Sequence, residues 1–269
     1  MTKPIERFQR YSLYTTLTLL AIFPTYFYIH EFDTIYSKLT CTFILVFTVL
    51  SLSYFTLCLC YRGYVTLDQS LKLAVGKNIK TCPICMDLRP ERAHHCSTCK
   101  RCIKKMDHHC HWLGRCVNYD NQGHFIRFLF FTFCNALALL LFNSYYIYLI
   151  TFTDSTEITY LKAAVLMIST MFSILILIVS FMNLNTQLYF VVKNITFIEK
   201  FHCKNYNVSP EKSPYNLGLI YNVQDVLGPF YLFLLGMPSG NGIFFEKKSN
   251  VSYWPKHNGF SNEMYSESL

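Results

Sequence analysis

CPICMDLRPERAHHCSTCKRCIKKMDHHCHWLGRC, residues 82 to 116, decides how this chain is read, because seven of its twelve cysteines and five of its nine histidines fall there. Cysteines separated by two residues, as Cys82 and Cys85 or Cys96 and Cys99, place both sulfurs on one tetrahedral ion. The remaining ligand candidates are His95, Cys102, His109 and Cys116, with Cys110 among them. Residues 62 to 124 carry too few long apolar runs to bury a core that offsets chain entropy, so metal is expected to hold them. Setting Cys110 aside leaves six cysteines and two histidines, which fill two closed four-coordinate sites of Cys3His type. Such sites have no vacancy for a catalytic water. Two zinc ions would therefore be structural, supplying folding free energy and no Lewis-acid chemistry. A RING finger also opens with CPIC, but it needs a Cys followed closely by His and then two further Cys-x-x-Cys pairs, whereas this chain steps evenly through Cys96, Cys99 and Cys102 and ends on a single Cys116.

Outside this segment the chain reads as a membrane protein. Of its 269 residues 52% are hydrophobic and only 15% charged, too apolar for an ordinary soluble domain. Apolar runs long enough to cross a hydrocarbon core occur near 12 to 30, 39 to 61, 125 to 152 and 161 to 192, giving an all-α polytopic protein with four transmembrane helices. The first run is diluted by Thr and Tyr and holds Pro24, yet it is too long for a cleaved signal peptide and lacks a small-residue cleavage site. The expected organisation is 1–61 (N-terminal segment and two spans), 62–124 (zinc-stabilised cysteine-rich domain), 125–192 (two further spans) and 193–269 (tail).

Basic residues fix the expected orientation, since Lys and Arg accumulate on the cytosolic side of short loops. Lys3, Arg7 and Arg10 precede the first span, twelve basic residues lie between Arg62 and Arg127, and seven follow from Lys193 onward. The two hairpins carry only Lys38 and Lys162, beside Glu31, Asp33, Asp154 and Glu157. Both termini and the Cys/His segment are thus expected in the cytosol, a reducing compartment that suits metal-bound thiolates. The sequons at Asn194, Asn207 and Asn250 would lie on the wrong side for glycosylation. A net charge of +8 does not mark nucleic-acid binding here, because the basic residues sit between apolar runs instead of forming one patch.

Cys110 follows Asp107, His108 and His109, an order that supplies an orienting carboxylate, a general base and a thiol within four residues. An adjacent imidazole with nearby positive charge, here Lys104, Lys105 and Arg115, favours the thiolate that acts as nucleophile. Asp107 would accept from one ring nitrogen of His108 and fix its tautomer. By spacing alone, a spare ninth metal ligand is the alternative reading of Cys110.

The segment 82 to 116 resembles the cysteine-rich domain of DHHC-type protein S-acyltransferases, or palmitoyltransferases, and the four-span layout with this domain after the second span is similar too. The resemblance implies that Cys82, Cys85, His95 and Cys102 hold one zinc and Cys96, Cys99, His109 and Cys116 the other. It assigns Cys110 as nucleophile, His108 as base and Asp107 as orienter. Two weaker motifs follow the fourth span. Thr196-Phe197-Ile198-Glu199 resembles the family's Thr-Thr-x-Glu with Phe in place of the second Thr, and Pro214 to Gly218 with Asn222, Val226 and Gly228 resembles its C-terminal motif. Departures are Thr66-Leu67-Asp68-Gln69 for Asp-Pro-Gly, His111 for Pro, and Asn118 for Gly.

The implied reaction is a ping-pong transfer of a long-chain acyl group, palmitoyl above all, from acyl-CoA through a Cys110 acyl-enzyme to cysteine thiols of client proteins at the cytosolic face of an endomembrane, Golgi or endoplasmic reticulum. A zinc-stabilised scaffold without activity is the non-enzymatic alternative, and no accessory subunit is assigned. Arg89, Arg92 and His94 are expected phosphate partners for the CoA head group, since Arg forks and His donors suit phosphate oxygens. The resemblance places Trp112 and Phe125 near the thioester end of a lipid cavity walled by the third span. Phe125, Phe128, Thr132 and Asn135 share one face of that helix, and a rise of about 1.5 Å per residue sets Asn135 roughly 15 Å deeper than Phe125. Asn135 is therefore expected either at the roof of the cavity or in an interhelical hydrogen bond.

Overall fold

The computed structural model describes residues 4–31, 35–66, 80–152, 159–248 and 254. Residues 32–34 and 153–158 of the expected far-side hairpins, Leu67 to Gln69 and the Asn250 sequon lie outside them. Helices α1 (Pro4–Glu31), α2 (Ile35–Cys60), α3 (Gln122–Phe152) and α4 (Tyr160–Lys193) carry most of the described residues. Among the described residues three helices are long and apolar enough to cross a membrane, over Ser37–Cys60, Gln122–Phe152 and Lys162–Lys193. The expected first span does form helix within α1 but is not among those three.

The chain divides into two compact units. One comprises Arg7–Leu57 and Phe125–Thr186, and its described residues other than Thr159 are all helical. Its apolar cluster brings Cys41 and Ile44 of α2 against Leu139, Phe142 and Tyr146 of α3 and Leu166 of α4. Within the apolar spans polar side chains pair with one another: Ser51 with Thr132 at 2.6 Å, Asn135 Nδ2 donating to Thr48 Oγ1 at 2.9 Å, and Asn143 Nδ2 donating to Ser169 Oγ at 3.0 Å. Such pairs satisfy groups that would otherwise face hydrocarbon, each contributing about 0.6 kcal/mol by double-mutant measurements in membranes.

The other unit comprises Met1–Glu6, Cys58–His124 and Gln187–Leu269, so the Cys/His segment and the chain after α4 pack as one body. Between α2 and α3 run three antiparallel hairpins of very short strands: β1–β2 (Lys80–Thr81, Leu88–Arg89), β3–β4 (His94–Cys96, Arg101–Ile103) and β5–β6 (His108–Cys110, Arg115–Val117). Strands of two or three residues are not stable alone. Asn121 ties the last hairpin to the end of α2, its Nδ2 donating to the carbonyls of Cys58, Tyr61 and Cys116. Asn118, one of the departures noted above, is fully buried, and the bare Cα of Gly63 leaves room for its amide: a Cβ there would stand 2.2 Å from Asn118 Oδ1.

After α4, Thr196 caps α5 (Phe197–Asn205) in a capping box, its side chain accepting from the Glu199 amide while the Glu199 carboxylate accepts from the Thr196 amide. The Glu199 carboxylate also receives Arg92 Nε at 2.7 Å and Nη2 at 2.8 Å, and Arg92 reaches the side chain and carbonyl of Asn194. With its guanidinium 4.0 Å over the Tyr215 ring, Arg92 bolts the Cys/His segment to the tail. In α6 (Leu219–Leu227) buried Asn222 donates to Val192 O and Asn216 Oδ1, fixing the tail to the end of α4.

Candidate active site and metal centres

The hairpin register builds the metal sites. His95 stands opposite Cys102, and His109 opposite Cys116, so each His/Cys pair faces across two strands, where Cβ atoms are about 4.5–5.5 Å apart. The Cys-x-x-Cys turn of the preceding hairpin supplies two more sulfurs. Two quartets result, Cys82, Cys85, His95, Cys102 and Cys96, Cys99, His109, Cys116, the grouping the resemblance implies. Zn–S bonds of about 2.3 Å and Zn–N bonds of about 2.0–2.1 Å in a tetrahedron separate sulfur from sulfur by roughly 3.8 Å and sulfur from nitrogen by roughly 3.5 Å. The quartets show Cys102 to Cys85 at 3.8 Å, Cys99 to Cys116 at 3.7 Å, and His109 Nδ1 to its three sulfurs at 3.5, 3.5 and 3.6 Å. The donor set and its spacing fit tetrahedral zinc. Backbone amides of Cys85 and Cys99 point at Cys82 Sγ and Cys96 Sγ, as a thiolate requires.

These sites repeat with a period of fourteen residues, ligand for ligand. Each knuckle closes on a residue of positive φ at the same step: Met86 at 57°, Lys100 at 57° and Gly114 at 59°. The third hairpin repeats the second register for register, with His108, His109, Cys110, Arg115, Cys116 and Val117 standing where His94, His95, Cys96, Arg101, Cys102 and Ile103 stand before them. Cys110 therefore occupies the place of a knuckle ligand. Its partner position holds buried Leu113 in place of Cys, and the next His and Cys positions, 123 and 130, are Gly and Phe within α3. Among the described residues neither metal-capable group includes Cys110.

Strand alternation puts His108 and Cys110 on the hairpin face opposite the ligands His109 and Cys116. Asp107, 1% exposed, accepts from His108 Nδ1 at 2.8 Å, which leaves the other ring nitrogen for the thiol. Burial opposes charge on His108, but hydrogen bonds to Asp107 and Cys110 outweigh it and raise its pKa to about 9. Asp107 also accepts from the Phe197 amide at 2.7 Å and from Gln187 Nε2 at 2.9 Å. The motif position at which Phe197 replaces Thr thus serves Asp107 through its backbone, which any side chain provides.

The remaining expected site residues are distributed unequally. Arg92 is corrected: its guanidinium is buried and engaged by Glu199 and Asn194, so it joins parts of the fold and does not await a phosphate. Lys104 and Lys105, expected to lend charge to Cys110, are paired with Asp120 at 2.8 Å and Asp225 at 3.0 Å. Arg115 stays beside the thiol as its cross-strand neighbour. Arg89 lies in β2 and His94 in β3, both half-buried. Trp112 is 58% exposed at the tip of the third hairpin. Phe125 is buried against Phe128 near the start of α3, and Asn135 makes the interhelical bond to Thr48. A cavity of about 560 Å³ between α3 and α4, lined by Ile147, Ile150, Leu166 and Met171, lies at the far end of α3 from Phe125. Residues the sequence reading missed are Gln187, Gln122 and the Arg92–Glu199 pair; the fourteen-residue period was visible in the cysteine and histidine numbering.

Residues 75–204 match the family model described as DHHC palmitoyltransferase. The chain is 31% identical to palmitoyltransferase ZDHHC15 of Rattus norvegicus over 176 residues, 64% of this chain and 51% of that protein. It is 35% identical to palmitoyltransferase ZDHHC3-A of Danio rerio over 136 residues (49% and 43%), and 33% identical to palmitoyltransferase ZDHHC20-B of Danio rerio over 172 residues (62% and 52%). The chain spans about half the length of the curated relatives it matches.

Proposed function

We propose, for a chain whose residues 75–204 match the DHHC palmitoyltransferase family model, that it transfers a long-chain acyl group, palmitoyl first among them, from acyl-CoA through Cys110 to cysteine thiols of client proteins. The observation that carries this reading is a knuckle cysteine with no ligand set around it, hydrogen-bonded to a His108 that a buried Asp107 orients. In the first half-reaction the Cys110 proton passes to His108, the thiolate attacks the thioester carbonyl, and the CoA sulfur leaves with that proton. In the second, a client thiol gives its proton to His108 and attacks the acyl-enzyme, and Cys110 leaves and is reprotonated. Each quartet would hold one zinc, whose contribution is the folding free energy of the segment that positions Cys110.

The purified chain incubated with palmitoyl-CoA should release CoA and acquire a hydroxylamine-labile acyl group on the peptide bearing Cys110. A chain that holds two zinc ions and gains no label would refute the proposal. His108→Ala should slow transfer by about 10²- to 10⁴-fold, the usual worth of a general base, and unchanged kinetics would remove His108 from the mechanism.

The proposed setting is a four-span protein of the Golgi or endoplasmic reticulum with both termini and Cys110 in the cytosol, supported by the one-sided distribution of Lys and Arg. The acyl chain is proposed to lie along α3, with Phe125 near the thioester and Asn135 limiting its depth. Asn135→Phe should then shift preference toward shorter acyl-CoAs and Asn135→Ala toward longer ones, read by competition among donors of graded length. The same profile in both variants would leave Asn135 with its bond to Thr48 alone.

A further inference from the structure

Asp107 is held from a direction the motif does not announce. Gln187, eighty residues further along the chain near the end of α4, donates Nε2 to Asp107 Oδ2 at 2.9 Å, the same oxygen that receives His108 Nδ1 at 2.8 Å. Gln122, the first residue of α3, donates Nε2 to Gln187 Oε1 at 3.3 Å. All three side chains are buried, Asp107 at 1% exposure and both glutamines at 3%.

The polarity of this chain is forced. A carboxylate only accepts, so the Gln187 amide must present its nitrogen to Asp107 and its oxygen away, and that oxygen needs a donor, which Gln122 provides. Without Gln122 the Gln187 oxygen would be buried without its partner; with it, the amide has one favoured orientation. Neither glutamine is near a metal quartet in sequence. Helix packing alone does not call for two buried amides at the ends of apolar spans, because burying an amide without a compensating hydrogen bond costs about 1–3 kcal/mol by protein mutational data.

We infer that Gln187 is a positioning residue for acyl transfer: it fixes Asp107 so that the shared oxygen holds His108 with its second ring nitrogen turned toward Cys110, and Gln122 sets the orientation of Gln187. The Phe197 amide fixes the other Asp107 oxygen, so the carboxylate can rotate only when one of these donors is lost. The inference rests on the reading of Cys110 as nucleophile with His108 as its base.

The test uses the full chain and two readouts. Gln187→Leu should keep two zinc ions and a folded chain, with a modest drop in melting temperature because the buried Gln122 amide loses its acceptor, lower the saturating rate of acylation by palmitoyl-CoA by about 10- to 100-fold, the usual worth of one hydrogen bond to a charged group, and leave the KM for palmitoyl-CoA unchanged. Gln187→Glu should lose more, since a second carboxylate would face Asp107. Gln187→His, which keeps an N–H donor there, should recover most of the rate. In an Asp107→Asn background Gln187→Leu should add little, because residues that act through one contact are not additive. The second readout is the rate of Cys110 alkylation by iodoacetamide, which reports the thiol and its imidazole with no acyl donor present and should fall in Gln187→Leu as well. If the wild type alkylates readily but is never acylated, the transferase reading fails while alkylation still judges the network. Wild-type alkylation in Gln187→Leu, or additive losses with Asp107→Asn, would overturn the inference.

Discussion

Cys110→Ser should keep both zinc ions and the wild-type melting temperature while losing every trace of hydroxylamine-labile acyl label. The hydroxyl is nearly the size of the thiol, and no ligand quartet includes this position, so no folding free energy is withdrawn. What disappears is the one atom able to attack the thioester, since a serine hydroxyl beside His108 lacks the thiolate character that makes cysteine a nucleophile near neutral pH. Zinc content measured on the purified variant decides between the roles of this residue: a loss of one ion would return Cys110 to the ligands and sink the nucleophile assignment.

Cys96→Ser, the same substitution fourteen residues earlier in the same knuckle position, should do the opposite. Cys96 Sγ lies 3.5 Å from His109 Nδ1 and accepts the Cys99 amide within the second quartet. A structural zinc contributes about 10–16 kcal/mol of apparent binding free energy at neutral pH, and folded domains hold a net margin of only about 5–15 kcal/mol. Weakening one of four bonds should therefore lower the zinc content from two ions toward one, lower the melting temperature and expose the segment to protease. Its acyl label should fall too, because His109 and Cys116 of that quartet fix the two strands of the hairpin that carries Cys110. A Cys96→Ser chain with two ions and normal stability would refute the quartet assignment.

The two metal-capable Cys/His groups were legible in the sequence because metal ligation is a matter of donor type and spacing, and both are written there. The three apolar helices were legible for a similar reason, since length and hydropathy suffice. Arg92 was misread because its sequence neighbours are polar and loop-like; its true partner is Glu199, over a hundred residues away, and pairing at that separation leaves no local periodicity. Gln187 escaped notice for the same physical reason. A single amide in an apolar run looks like dilution of the run, and only the arrival of Asp107 beside it gives the position meaning. Thr196 to Glu199 was legible only as a motif; that it forms a capping box, and lends Glu199 to Arg92 and the Phe197 amide to Asp107, was not.

The register of the three hairpins obeys fence-post arithmetic. Each Cys/His quartet is a rail that takes two ligands from the knuckle behind it and two from the hairpin ahead, so three knuckles make two quartets. The last post always has a side with no rail. A row of any length built on this rule ends in a knuckle that already has the backbone of a metal site, with no following hairpin to complete it. The proposed reactivity then needs no new loop at the end of the row. It needs a Leu113 where a second cysteine would stand, a helix where the next hairpin would begin, and a base on the neighbouring step of the strand.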